Sequence, residues 1–143
     1  MKSIQQMQDE VVTFCNDKGW SGPGSVSKTF GDCMALLTSE VSEALEAYRD
    51  KGDPELTWYT YTVEVDHVKF KGLTEEQVET LTGSTPFDLG LEPKMEGVPS
   101  EFADIFIRLL DDCDRFGIDL EAAFEEKMAH NNKRPFRHGG KML

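Results

Sequence analysis

Residues 39–50, SEVSEALEAYRD, read as one stretch of helix that sorts its faces sharply and carries four acids against a single base. Val41, Ala44/Leu45 and Tyr48 continue an apolar stripe begun by Met34 and Leu37, and this 3–4 spacing is that of an amphipathic helix. At about 100° per residue, Glu40 lies beside the stripe on its Ala44 side, and Glu43 sits about 60° further out. Glu46 points well away from the Glu40 margin and reads as a solvated residue within reach of Arg49. The helix runs from an N-cap expected at Asp32 to about Asp50, where DKGDP stops it.

Toward the N-terminus, Ile4, Met7, Val11 and Phe14/Cys15 predict a first helix over 3–18, ended by Gly19. The Gly/Ser/Pro-rich loop WSGPGSVSKTFGD (20–32) joins it to the second. In the other direction, residues 51–99 change character. WYTYTVEV alternates Tyr59, Tyr61, Val63 and Val65 with polar neighbours, a strand pattern whose hydrophobic face needs burial, and the register slips at Asp66–His67. In TEEQVETLTG, Thr74 and Gln77 have capping-box spacing and Gly83 supplies a stop, so a short helix is expected. STPFDLGLEPKMEGVP (84–99) reads as loop.

Ser100 then caps a third long helix, EFADIFIRLLDDCDRFG, with the stripe Phe102, Ile105/Phe106, Leu109/Leu110, Cys113 and Phe116. Asp119 caps a fourth, LEAAFEEKMAHNNKR, closed by Pro135. Four helices with narrow apolar faces predict an all-α fold: a four-helix bundle in a single domain, 1–143, with a partly β insertion at 51–99 between helices two and three.

Composition restricts the function. No run approaches the ~18 apolar residues needed to cross a bilayer, and MKSIQQMQDE lacks the apolar segment of a secretory signal, so a cytoplasmic protein is expected. Cys15, Cys33 and Cys113 are odd in number and far apart, which suits reduced structural thiols rather than disulfides or a zinc cluster. A net charge of −12 argues against a nucleic-acid polymer as partner. The charge is uneven: from Lys127 onward there are five Lys/Arg and no acid. An acidic body with a basic tail suits a small phosphate ligand, provided cations cover the acids.

Helix three repeats the arrangement found in helix two. Glu101 lies beside its stripe on the Ile105 side, and Asp104 about 60° further out on the same margin. Antiparallel packing of the two helices would bring ExxE (40–43) and ExxD (101–104) to one edge of the bundle. Clustered carboxylates repel one another, and a hard cation such as Mg²⁺, which takes oxygen ligands, relieves that repulsion. No His stands at ExxH spacing, which disfavours a di-iron carboxylate site.

SEVSEALEAYRD, followed by VPSEFADIFIRLLDDCDRFGIDLEAAFEEKMAHNNKRPFRHGGK, resembles the MazG-like all-α nucleoside triphosphate pyrophosphohydrolases. The resemblance covers helices two to four strongly and helix one weakly, and it leaves out 51–99. It implies hydrolysis of a (deoxy)nucleoside triphosphate to the monophosphate and pyrophosphate, dependent on Mg²⁺ with Mn²⁺ as a substitute. Glu40, Glu43, Glu101 and Asp104 would be the catalytic carboxylates and metal ligands. Lys127 and Arg134 would neutralise phosphate charge, and Asn131 would hydrogen-bond a phosphate or the sugar. Their i, i+4, i+7 spacing puts all three on one face of a helix. Arg137 and His138 lie past Pro135 and are expected to be flexible rather than catalytic, with RHGGK folding over a bound phosphate as the alternative. Trp20, Lys28 and Phe30 would lie near the nucleoside. A homodimer or homotetramer of bacterial or phage origin is implied. The alternative is a non-catalytic helical nucleotide-binding or protein-interaction module acting through 51–99.

Overall fold

The computed structural model of the chain describes residues 1–135, so Arg137 and His138 lie outside the described residues. In chain order it has α1 (Ile4–Asp17), α2 (Phe30–Lys51), β1 (Trp58–Val65), β2 (Val68–Leu73), α3 (Glu75–Thr82), β3 (Lys94–Glu96), α4 (Val98–Arg115) and α5 (Leu120–Asn132). The strands form one antiparallel sheet in the order β2-β1-β3. Five helices and a three-stranded sheet make a mixed α/β architecture, which corrects the all-α four-helix bundle expected from the sequence. Segment 51–99, expected as an insertion into a bundle, supplies the whole sheet and a fifth helix. No described helix is long and apolar enough to cross a membrane. The chain divides into two compact units, Leu36–Ile105 and Met1–Ala35 with Phe106 onward, and the boundary falls within α2 and α4.

In the unit 36–105, β1 and β2 form a hairpin around Asp66 and His67, whose φ angles of 50° and 64° supply the paired left-handed residues of a two-residue turn. The slip at Asp66–His67 is thus the turn itself. The irregularity of pairing lies earlier, between Tyr61 and Val63. It breaks the strict alternation: Thr60 and Val63 are buried, while Tyr59 is 56% exposed instead of sharing one covered face with Val63. α3 matches its sequence signals. Thr74 and Gln77 form the capping box, Gly83 adopts φ 76° at the C-cap, and Val78 is wholly buried.

Gly97 makes the junction from β3 to α4. Its φ is 110°, and a Cβ there would stand 2.3 Å from the carbonyl oxygen of Leu56. The Glu101 N–H donates to the Gly97 carbonyl at 3.2 Å, so α4 begins at Val98 and not after a cap at Ser100. Ser100 instead sits in the first turn and donates its hydroxyl to the Met95 carbonyl at 3.0 Å, tying the strand to the helix.

In the other unit, α1 opens on a Ser3–Gln6 capping box and packs against α5, where the Gln5 N–H donates to Glu121 at 3.0 Å. α2 starts two residues before the expected cap. The Thr29 hydroxyl accepts from the Asp32 N–H at 3.2 Å, and the Asp32 carboxylate accepts from the Thr29 hydroxyl and N–H at 2.7 and 2.8 Å. Thr29 therefore caps the helix, and the hydrogen bonds from its hydroxyl and then its N–H hold the Asp32 carboxyl below the usual range. Asp119 caps α5 as expected, accepting from Ala122 N–H at 2.9 Å. All three cysteines are free and buried, and burial above all pushes their thiols up.

Gly97→Ala combines a disfavoured φ with a backbone clash and is expected to cost about 2–4 kcal/mol of stability, read from urea unfolding. A loss under about 0.5 kcal/mol would show that the junction relaxes freely.

Candidate metal centre

All four expected ligands lie in the unit 36–105. The 3.6-residue repeat puts Glu40 and Ala44 on the inner side of α2, and both are buried. Glu101 follows in the first turn of α4, where the exposed N–H groups favour an acid, and it too is buried at 7% exposure. Asp104 is one turn further along α4 and exposed. Oxygens of Glu40, Glu101 and Asp104 lie within 4.8 Å of one another. Glu43, exposed on α2, stands outside this trio, yet its charge bears on Glu101 more than that of either other acid.

The electrostatics define what the cluster needs. Two full charges at 4.8 Å repel by about 3.5 kcal/mol at an effective dielectric constant near 20. Burial, then Glu43, Asp104 and Glu40, push the Glu101 carboxyl above the usual glutamate range, and Lys94 is the opposing charge. The donor set is all oxygen and all anionic, with two members buried and one open to solvent. That suits a hard divalent cation which keeps part of its shell for water or substrate, as Mg²⁺ does. The fit to a group the resemblance implies is therefore good.

Lys94 comes from a stretch read as loop. Three residues are too few for periodicity to register, and β3 exists because KME pairs with β1: Trp58 with Glu96, Tyr59 with Met95, Thr60 with Lys94. Lys94 Nζ pairs with Glu96 Oε2 at 3.0 Å, and the Thr60 hydroxyl donates to Glu96 Oε1 at 2.8 Å.

The remaining expected residues belong to the other unit. Lys127 is exposed on α5. Asn131 is half-buried, with an Oδ1 that is shielded from solvent and has no hydrogen-bond partner among the described residues. Arg134 lies past the helix, because α5 ends at Asn132 with Lys133 as its C-cap, so the three do not share one helical face as expected. Arg134 N–H closes a last turn onto the Asn131 carbonyl at 3.0 Å. Trp20 is 55% exposed and stacks edge-on against Phe14, with ring centroids 5.3 Å apart. The loop around it is pinned by Ser21, which donates to Asp111 at 2.6 Å and accepts from Arg115 at 2.8 Å. Lys28 is half-buried, and Phe30 meets Phe116 edge-on at 5.2 Å.

The raised pKa of Glu101 fixes a sign. Between the ordinary glutamate pKa and the raised one, the folded state holds more protons than the unfolded state, so this group's contribution to stability falls as pH rises through that window. In metal-free buffer at neutral pH, Glu101→Gln should melt above the wild type, with the gap closing as pH falls through the raised pKa. Mg²⁺ at about a hundred times its Kd should add about 2.7 kcal/mol to the wild type and little to the variant. A variant that melts no higher than wild type without metal, and responds equally to Mg²⁺, would remove the site.

No protein-family model matches the sequence, and neither a curated protein nor a solved structure matches the chain. The likeness to MazG-like enzymes accordingly stands on the residues quoted for it.

Proposed function

We propose that the chain is a Mg²⁺-dependent nucleoside triphosphate pyrophosphohydrolase, releasing a monophosphate and pyrophosphate from a (deoxy)nucleoside triphosphate. The observation that carries this reading is the approach of Glu40, Glu101 and Asp104 to within 4.8 Å, with two of them buried. Glu40, Glu101 and Asp104 hold the cation, and Glu43 adds charge beside them. When bound, Mg²⁺ neutralises phosphate oxygens and acidifies a coordinated water. Glu40, Glu101 and Asp104 would orient that water, and Asp104 is the one of the three that is exposed. Lys127 and Arg134 belong to the other unit and have the chemistry to bind phosphate, as a point charge and a planar fork. Asn131, also in the other unit, has an amide oxygen without a hydrogen-bond partner among the described residues. Reduced buried thiols accord with a cytoplasmic location.

The same reading includes a homodimer or homotetramer. Val41, Leu45 and Tyr48 on α2 and Phe102 on α4 belong to the apolar stripes, yet each is between 46% and 62% exposed in the single chain. Sedimentation should give a dimer or larger; a monomer at micromolar concentration would overturn this part. A second reading, a protein-interaction module, is favoured by Phe87 in the 51–99 segment, which is 89% exposed.

Pyrophosphate release from a panel of common ribo- and deoxyribonucleoside triphosphates tests the enzyme. Activity should require Mg²⁺ and fall at least about a hundredfold in Glu40→Gln, since loss of even a supporting group around a metal costs about 10–100-fold. Folded protein that binds Mg²⁺ but releases no pyrophosphate across the panel would sink the assignment and favour the module.

A further inference from the structure

We propose that residues 20–29 form a two-position strap, locked onto α4 by the Ser21 hydroxyl and released when Asp111 and Arg115 close on each other. The strap belongs to the unit made of Met1–Ala35 and Phe106 onward, and the inference does not depend on the metal-site reading.

Asp111 and Arg115 are one turn apart on α4, an i, i+4 pair of opposite charge that ordinarily meets directly. Here the pair is held open. Arg115 Nη2 stands 3.5 Å from Asp111 Oδ2, longer than an ordinary hydrogen bond, although the side chains are only 16% and 13% exposed. The Ser21 hydroxyl bridges them, donating to Asp111 Oδ1 at 2.6 Å and accepting from Arg115 Nη2 at 2.8 Å. The guanidinium shows the consequence. Its Nε is shielded from solvent and has no hydrogen-bond partner among the described residues. Leaving a buried donor of a charged group unmatched is costly, and arginine favours a two-point contact with one carboxylate. Withdrawal of Ser21 would let Nε and Nη2 make that contact with Asp111. The Cys15 thiol also hydrogen-bonds Asp111, as a weak donor that a carboxylate with about four acceptor sites accommodates beside arginine.

The loop has the hinges such a movement needs. Trp20 and Ser21 are bracketed by Gly19 and Gly22, with φ of 70° and 82°, and Gly24 follows at 84°. Glycine adopts and leaves this region at little cost, and a Cβ at Gly19 or Gly24 would meet nothing within 4 Å. The Trp20 and Ser21 N–H groups donate to the Cys15 carbonyl at 2.9 and 3.3 Å, which holds this end of the strap to α1. The Thr29–Asp32 cap holds the other end to α2. Between them, the Ser25 N–H and hydroxyl both donate to the Gly22 carbonyl, inside the loop. Among the described residues, the hydrogen bonds from the strap to α4 come from Ser21 and from the Trp20 carbonyl, which accepts from Arg115 at 3.5 Å. Release gives up these bonds, and closure of Asp111 onto Arg115 offsets them. Two arrangements so nearly balanced are what a switchable element requires.

Nuclear magnetic resonance of wild type, Ser21→Ala and Ser21→Thr tests the strap. In Ser21→Ala, amide exchange at residues 20 and 21 should quicken about tenfold, as expected for losing a hydrogen bond to charged groups. Exchange within α4 should keep its wild-type rates, and the Arg115 Nε–H should exchange more slowly because it gains Asp111 as partner. Ser21→Thr, which keeps the hydroxyl, should stay close to wild type in all three. Unchanged exchange at residues 20 and 21 in Ser21→Ala would show that the hydroxyl does not hold the strap and would overturn the proposal. Exchange quickened throughout α4 as well would make Ser21 an ordinary structural contact. An Arg115 Nε–H that exchanges as in wild type, whatever the loop does, would remove the closed pair and with it the second position.

Discussion

Glu40 and Glu101 place two carboxylates in buried positions within 4.8 Å of each other, with Asp104 equally close and Glu43 near enough to be felt. A folded chain has about 5–15 kcal/mol of net stability, so repulsion of about 3.5 kcal/mol per full pair is a large share of the total. Such a cost persists only where something offsets it. Protonation of Glu101 offsets part, at the expense of the charge that would bind a cation. A divalent ion would offset more of it. The backbone around the cluster is correspondingly constrained: Gly97 turns the chain where no side chain fits, and Ser100 fixes the strand to the helix that presents Glu101.

How far the sequence reveals this depends on the length scale of each signal. α1, α3 and α5 were legible, because three or more turns of apolar spacing or a local cap define them: Thr74 with Gln77, Gly83, and Asp119 all act as their chemistry suggests. Helix starts were less so. Asp32 and Ser100 are good caps in isolation, but Thr29 precedes Asp32 at the reciprocal spacing, and Gly97 precedes Ser100 with a φ that only glycine adopts easily. The sheet was half legible. A hairpin can be read from alternation, but β3 is three residues long and is specified by pairing with Trp58, Tyr59 and Thr60, which no local pattern records. Counting that sheet as an insertion is what led to the all-α expectation.

For the candidate site, helical periodicity put Glu40 with Glu43 and Glu101 with Asp104 on equivalent margins of α2 and α4, and three of the four come together. It also ranked Glu43 as the outer member of its pair, consistent with its exposure. The same periodicity misjudged Arg134, because it carried the helix through to Pro135 while the backbone stops at Asn132. Lys94 and Glu96 were invisible for the reason β3 was. Glu96 meets Thr60 across strands, 36 residues apart in sequence.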